Sequence, residues 1–327
     1  YTLHDIDAIN ECVIKENSAR QIPGNSSYCV YGNADRTAIN AGIFSNVLKA
    51  HCKASPSDPS HMLVVKAGDM VRTTKSGGKH PMGEDDKEYV YENCGDHKLR
   101  AKVRGRKAHF VDSMLKLHHH IPLMLVTNDD VPNGHANGTR VLLEGVVLKD
   151  WITTDIMLVD GMRRPSVHAS NVDHFVCSSQ GNSDKLFLIE PKAMACAAKA
   201  PIPSHIGGTV QATINFNVTL TQLPVLANNA TTGHKLQGQT KEDLVVAVWS
   251  KRRNWNYVAL SRVATRDGLY LVKPLPYDTD FSIPHDLRQM LNTLQRTEPE
   301  EIEWDLEEEE MILEARRRGS TYAGTRN

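Results

Sequence analysis

The chain has 327 residues, 40% hydrophobic and 24% charged, and its 38 Lys and Arg nearly balance 39 Asp and Glu for a formal charge of −1. That is the profile of an ordinary soluble globular protein with room for two domains and a sizeable core. No apolar stretch approaches the ~18 residues that a membrane span requires, and an amino terminus carrying Asp5, Asp7 and Glu11 is not a signal peptide.

Ile6, Ile9, Val13 and Ile14 fall at helical spacing, which predicts a short amphipathic helix over 5–15. Pro23-Gly24-Asn25-Ser26-Ser27 reads as a turn and Tyr28-Cys29-Val30-Tyr31 as a short buried strand. Asn33 or Asp35 can cap the next helix, where Ile39, Ile43 and Val47 share a stripe beside Phe44 and Leu48. Strand, polar turn and capped helix form the unit of a parallel α/β sheet. Between 55 and 110 the pattern weakens: 63–65 reads as a strand, and 75–79 and 83–87 as exposed loops. Residues 111–117 lead into an apolar run at 121–126 and a turn-rich segment at 133–138. Short β-rich runs follow at 140–143, 146–148, 156–159, 185–189 and 210–216, spaced as in a small barrel or sandwich. Runs at 223–227 and 244–248 return to buried α/β strands, so a β-rich module is expected to interrupt an α/β domain.

Beyond Pro276, Leu287, Met290, Leu291 and Leu294 define a helical face. The run 298–310 then holds nine acidic residues and no basic ones, so the rest of the chain carries +8; the run is expected to be disordered. A modestly basic body is compatible with nucleic-acid binding. Cys12, Cys29, Cys52, Cys94, Cys177 and Cys196 lie far apart with no Cys-x-x-Cys pair. This argues against a zinc ribbon and for reduced thiols in an intracellular compartment.

The sharpest signal is a pair of segments, Thr231-Thr232-Gly233-His234-Lys235-Leu236-Gln237-Gly238-Gln239-Thr240 and Tyr257-Val258-Ala259-Leu260-Ser261-Arg262. In the first, the hydroxyls of Thr232 and Thr240, an ammonium, two amides and a flexible glycine crowd one loop between strand and helix. Backbone and hydroxyl donors at a helix start suit phosphate oxygens of a nucleotide or of a DNA backbone. Alone, such a loop reads as a solvated turn; the second segment at its set distance makes it informative. Arg262 closes that segment with a planar, permanently charged fork suited to charge spreading over a transferring phosphoryl group. Lys251-Arg252-Arg253 with Trp255 offers charge and an aromatic face for nucleic acid, or else a solvated turn, and Arg163-Arg164 is equally ambiguous. His118-His119-His120 reads as a surface triplet rather than a metal site, because consecutive residues point different ways on a regular element.

These segments together resemble the second motor domain of superfamily-one DNA helicases of the Pif, RecD and Helitron kind, over roughly 5–274. Tyr31 to Asn40 matches the family's Asn-x-x-Arg-x-x-x-Asn strand-to-helix motif. Residues 115–117, 128–129 and Asn137-Gly138-Thr139-Arg140 match the approach to an inserted SH3-like subdomain, and Gln222-Leu223-Pro224-Val225 the return from it. The resemblance implies an α/β fold: a RecA-like parallel-sheet motor domain in two parts, 1–117 and 223–276, interrupted by a β-rich SH3-like insertion at 118–222 and followed by a helix and acidic tail at 277–327. It gives catalytic roles to Arg262, as arginine finger, and to Arg36, and nucleotide-edge roles to Asn33, Gln237 and Gly238. It gives DNA contacts to Thr232, His234, Lys235, Thr240, Asn137 and Arg140, and no metal ligand. Gly233 and Leu236 depart from the residues more usual in Pif members, and the insertion is longer, so substrate preference stays open.

The implied activity is ATP-dependent 5′-to-3′ DNA unwinding, with single-stranded DNA as partner, no membrane, and no small-molecule substrate other than ATP. No Gly-x-x-x-x-Gly-Lys-Ser/Thr is present: Gly78-Lys79 is followed by His80, and position 73 is Thr. The chain, which starts at Tyr1, is therefore expected to be the C-terminal piece of a helicase whose absent first motor domain holds ATP and magnesium. Alone it is expected to bind neither and to be inactive. A nuclear location is expected, with the mitochondrion as alternative, and telomere maintenance, DNA repair, recombination and transposition all remain open roles. The rival reading is a non-catalytic nucleic-acid-binding remnant of a mobile-element helicase.

Overall fold

The computed structural model describes residues 2–279 except 16–19, 25, 55–61, 74–76, 95–98, 104–105, 180–181, 202–212 and 253, and also 281, 288 and 289. Residues 1–279 form one unit and 280–327 a second; the acidic run 298–310 lies outside the described residues, as does the helical face predicted at Leu287, Met290, Leu291 and Leu294.

A four-stranded parallel sheet runs in the order Ala230–Thr232, Ser27–Val30, Leu244–Val246, Leu269–Leu271. Cys29, Val30, Leu244, Val245 and Val246 are all fully buried, as a parallel sheet covered on both faces requires of its central strands. Leu236, Trp255, Ala259 and Cys12 pack on it in one cluster. The helix Leu3–Asn10 opens with a capping box of Thr2 and Asp5. It stops short of the predicted 15 because the next residues pair with the sheet: Leu271 N–H donates to the Cys12 carbonyl at 3.0 Å and Ile14 N–H to that of Leu271 at 2.9 Å.

The helix Asn33–Ala54 leaves the sheet and reaches the β-rich module, where Phe44 and Leu48 pack on Met62, Val64 and Val159. Asn40 fixes it: its Nδ2 donates to the Ala227 carbonyl at 3.0 Å and its Oδ1 accepts from Ala230 N–H at 2.8 Å.

Among the described residues the module has three sheets. A four-stranded sheet (Asp155–Val159, Met162–His168, Met62–Lys66, Met114–His118) faces a five-stranded one (Asn182–Ile189, Val172–Ser179, Arg140–Leu148, Pro122–Leu125, Val225–Ala227). Their shared core holds Phe175, Val65, Leu117, Leu123 and Val167. The third, six-stranded sheet (Lys79–Pro81, Gly68–Thr73, Thr213–Gln222, Lys192–Pro201, Leu99–Val103, Arg106–Phe110) builds its own core with Val90 and Tyr91 of helix Glu84–Asn93.

Three expectations change. The run 223–227, expected to return to the parallel α/β sheet, instead gives Val225–Ala227 to the five-stranded sheet, antiparallel to Pro122–Leu125, because Leu223 and Val225 bury into that module's core. Residues 62–117, expected to belong with the parallel sheet, pair within these largely antiparallel sheets instead. Their strands interleave Lys, Arg and Gly with apolar residues because one face meets solvent, and that blurred the strand signal. Residues 83–87, predicted as loop, start the helix Glu84–Asn93, whose first turn carries Glu84, Asp85 and Asp86 beside the unpaired N–H groups.

Cys12, Cys29, Cys94, Cys177 and Cys196 are buried, and burial pushes the thiols of Cys29, Cys177 and Cys196 up to about 12, which disfavours the reactive thiolate. Among the described residues no helix is long and apolar enough to cross a membrane.

Replacing Asn40 with Ala leaves the Ala230 N–H without its acceptor and should cost about 1–3 kcal/mol of unfolding free energy. Urea denaturation of the two proteins measures it; an unchanged midpoint would show that Asn40 does not lock the helix to the sheet.

Candidate nucleic-acid and nucleotide interface

Two parallel strands deliver their following residues to the same sheet edge. After Ser27–Val30 the chain enters the helix at Asn33, which is half-buried, and one turn on Arg36 is 5% exposed with its guanidinium 5.5 Å above the Phe110 ring. After Ala230–Thr232, Thr232 occupies the cap position of the one-turn helix Gly233–Leu236, and its hydroxyl makes no capping bond there. Lys235 on this turn sets its Nζ 3.5 Å from Met124 Sδ. Burial, and then the Arg36 guanidinium, push the Lys235 ammonium below the usual lysine range. Burial and Lys235 likewise lower the His109 imidazole.

The loop continues through Gln237 to Gly238, whose φ of +77° is open to glycine at no cost. His234, Gln237 and Thr240 stay exposed, and Gln239 Nε2 donates to the Lys235 carbonyl at 3.1 Å. Lys241 then pairs with the second motif: its N–H donates to the Arg262 carbonyl at 2.7 Å, and its carbonyl accepts from Ala264 N–H at 2.9 Å. The Lys241 ammonium falls to about 8 through burial and the nearby Arg140, whose own guanidinium burial lowers. Arg140 stands opposite Met124 in strand register, so Arg36, Lys235, Met124, Arg140 and Lys241 form one continuous stretch. Among the described residues, none of Lys235, Arg140 and Lys241 has a carboxylate within 4.0 Å.

The structure therefore gathers Arg36, Lys235 and Arg140 from three separate motifs. Asn137 sits in a neighbouring turn, its N–H donating to Asn128 Oδ1 at 2.7 Å. Arg262 is tied to Lys241 through backbone, but its guanidinium folds onto the end of its own helix Trp255–Leu260: Nε donates to the Val258 carbonyl at 3.2 Å and Nη2 to Ser261 Oγ at 2.9 Å. Trp255, read as an aromatic face for nucleic acid, is only 3% exposed and belongs to the core beside Tyr31 and Trp249. Sequence reasoning missed Lys241, His109, Phe110 and Met124. Lys241 follows Thr240 directly and was within reach; His109 and Phe110 fall where the pattern was weakest.

Confining a lysine beside an arginine carries a stability cost with a defined pH signature. Folded Lys241 titrates near 8 and an unfolded lysine near 10.5, so below 8 both states are protonated and the folded state bears the penalty. Between 8 and 10.5 the unfolded state holds the extra proton, and stability rises with pH. Since Lys241 is half-exposed, solvent screening reduces the effect: Lys241→Met should be more stable than the wild type at pH 7 by about 1 kcal/mol, the gap closing toward pH 10.5. Urea unfolding of both proteins at several pH values tests this, and a pH-independent gap would contradict it.

No protein-family model and no curated protein sequence matches the chain. Solved structures do. A Pif1 helicase from Bacteroides in complex with ADP-AlF3 and ssDNA matches at 17% identity and a TM-score of 0.50, over 91% of this chain and 51% of that one. Bacteroides Pif1 bound to ssDNA matches at 16% identity and 0.49, over 90% and 50%. Pif1 helicase from Candida albicans matches at 16% and 0.48, over 90% and 54%. The chain spans about half the length of these structures, and 91% of it shares the fold of part of the Bacteroides Pif1 helicase held with ADP-AlF3 and ssDNA.

Proposed function

We propose that this chain is the C-terminal motor portion of an ATP-dependent DNA helicase of the Pif1 type, which grips single-stranded DNA and closes over a nucleotide held by a separate motor domain. The observation that carries the reading is the stretch Arg36, Lys235, Arg140 and Lys241, in which cations are drawn together and partly desolvated, the last three without a carboxylate at hand. Such an arrangement is costly unless a polyanion completes it. The Bacteroides Pif1 structure that shares this fold holds ADP-AlF3 and ssDNA, both of them polyanions.

In this reading Lys235, Arg140 and Lys241, with Thr232, His234, Thr240 and Asn137, follow the DNA backbone. Arg36, Asn33, Gln237 and Gly238 face the nucleotide edge. Arg262 is the arginine finger: its guanidinium turns away from Val258 and Ser261 toward the γ-phosphate, exchanging two hydrogen bonds to neutral acceptors for stronger ones to anionic phosphate oxygens. ATP and magnesium belong to the partner motor domain, since this sequence contains no phosphate-binding loop. The parallel-sheet part acts as the RecA-like motor domain, the β-rich module as its insertion, and the substrate is nuclear or mitochondrial DNA unwound 5′-to-3′.

Titrating a labelled single-stranded oligonucleotide with the purified chain tests the DNA contact. Affinity should fall steeply with salt, Lys235→Ala should weaken binding and reduce the salt slope by about 1, and His118→Ala should do neither. Equal affinities for the two variants would remove the loop from the DNA path.

The nucleotide role is tested in the protein joined to its ATP-holding domain. Arg262→Ala should cut DNA-stimulated ATP turnover by more than ~10²-fold with strand binding intact, and Arg262→Lys should recover little because an ammonium lacks the planar fork. A non-catalytic remnant passes the binding test and shows no turnover to lose; near-normal turnover in Arg262→Ala ends the finger assignment.

A further inference from the structure

Away from this surface, the strands Met114–His118 and Pro122–Leu125 are joined by a tight turn. Ile121 N–H donates to the His118 carbonyl at 3.1 Å, and His120 N–H to that of Leu143 at 2.8 Å. Leu143 N–H in turn donates to the Ile121 carbonyl at 3.1 Å, which fixes the turn against strand Arg140–Leu148. His120 has φ +59°, a left-handed conformation uncommon for a residue with a side chain. That backbone overturns the expectation that consecutive histidines diverge: the rings of His119 and His120 lie 3.7 Å apart between centroids.

Both rings face Glu144 on the neighbouring strand. Its Oε2 lies 2.9 Å from His120 Nε2 and 4.0 Å from His119 Nε2, and the three candidate ligand atoms are all within 4.8 Å of one another. The other carboxylate oxygen accepts a hydrogen bond from Ser178 Oγ, one strand further across the sheet. The carboxylate is therefore oriented from behind, and both histidines open to solvent.

Two imidazole nitrogens and a carboxylate oxygen are a donor set for zinc and its neighbours with a position left for water, whereas Mg2+ and Ca2+ favour all-oxygen shells. Donors at zinc bond lengths in a tetrahedron stand about 3.4 Å apart, so the two His–Glu144 distances of 2.9 and 4.0 Å need shifts of well under 1 Å each, and the two imidazole nitrogens, within 4.8 Å of each other, need at most about 1.4 Å. Ser178 stands where an outer partner orients a ligating carboxylate.

We propose that His119, His120 and Glu144 bind one divalent d-block ion of the Zn2+ type, stapling the turn to strand Arg140–Leu148. The site is independent of the helicase reading.

Because the chain contains 15 His and 6 Cys, the decisive quantity is the difference between wild type and variants. The chelator-stripped chain is titrated with ZnCl2 by calorimetry in excess Mg2+, and with Co2+ followed by its ligand-field absorption. Wild type should show one saturable site that disappears in His120→Ala, His119→Ala and Glu144→Gln, and that weakens by about 10-fold or more in Ser178→Ala. Zn2+ should also raise the melting temperature of wild type and of none of the first three variants. No saturable uptake by the wild type, or a site unchanged in His120→Ala and Glu144→Gln, overturns the proposal.

Discussion

Everything at the candidate interface depends on how one helix is held between two kinds of sheet. Asn40 spends both ends of its amide on the Ala227 carbonyl and the Ala230 N–H, so the helix Asn33–Ala54 cannot slide along the parallel sheet without breaking both bonds. Four and eight residues later, Phe44 and Leu48 sink into the β-rich module against Met62, Val64 and Val159. The spacing from 40 to 44 to 48 keeps all three on one side of the helix, and one turn earlier in the same row stands Arg36. A single stripe thus carries the lock, the apolar anchor and the cation, and Arg36 is placed over Phe110 by the same rigidity that joins the sheets.

What that rigidity gathers is electrostatically unfavourable. Arg36 depresses Lys235, Lys235 depresses His109, and Arg140 depresses Lys241, each already lowered by burial. A surface selected only for stability would place carboxylates beside Lys235, Arg140 and Lys241 or move these cations into water. Elsewhere the same chain does pair its charges: Lys192 with Asp129 at 2.5 Å, and Lys87 with Glu84 at 2.7 Å. The contrast sets this stretch apart from the paired surface elsewhere, which is what the proposed polyanion site requires.

The parallel sheet was legible in the sequence because its central strands are buried on both faces. Tyr28-Cys29-Val30 and Leu244-Val245-Val246 are uninterrupted apolar runs, and the helix stripe after Asn33 is equally plain. The β-rich module was legible in kind but not in extent. Strands such as Gly68–Thr73 and Leu99–Val103 show solvent one face, carry Arg and Lys there, and pair with partners 95 to 153 residues away. No local pattern encodes that pairing. The interface divides the same way: Arg36, Lys235 and Arg140 were marked by motif, whereas the aromatic floor at Phe110 and the sulfur of Met124 depend on register across sheets.

The residues at 233 and 236 in the loop after Ala230–Thr232 acquire a cause from the packing beneath it. Gly233 is buried directly against Trp255, and a Cβ there would stand 3.0 Å from the indole Nε1, an N–H that has no acceptor among the described residues. Leu236, three residues on, is fully buried in the cluster that contains the same indole. A one-turn helix has too few backbone bonds to hold its own shape. Here a tryptophan fills the space below it, glycine admits the ring, and leucine pins the far end of the turn. Both residues face inward, toward the sheet, while His234 and Lys235 between them keep their outward positions. Gly233 and Leu236 thus belong to what supports the turn, while its polar side chains His234, Lys235 and Gln237 are presented outward.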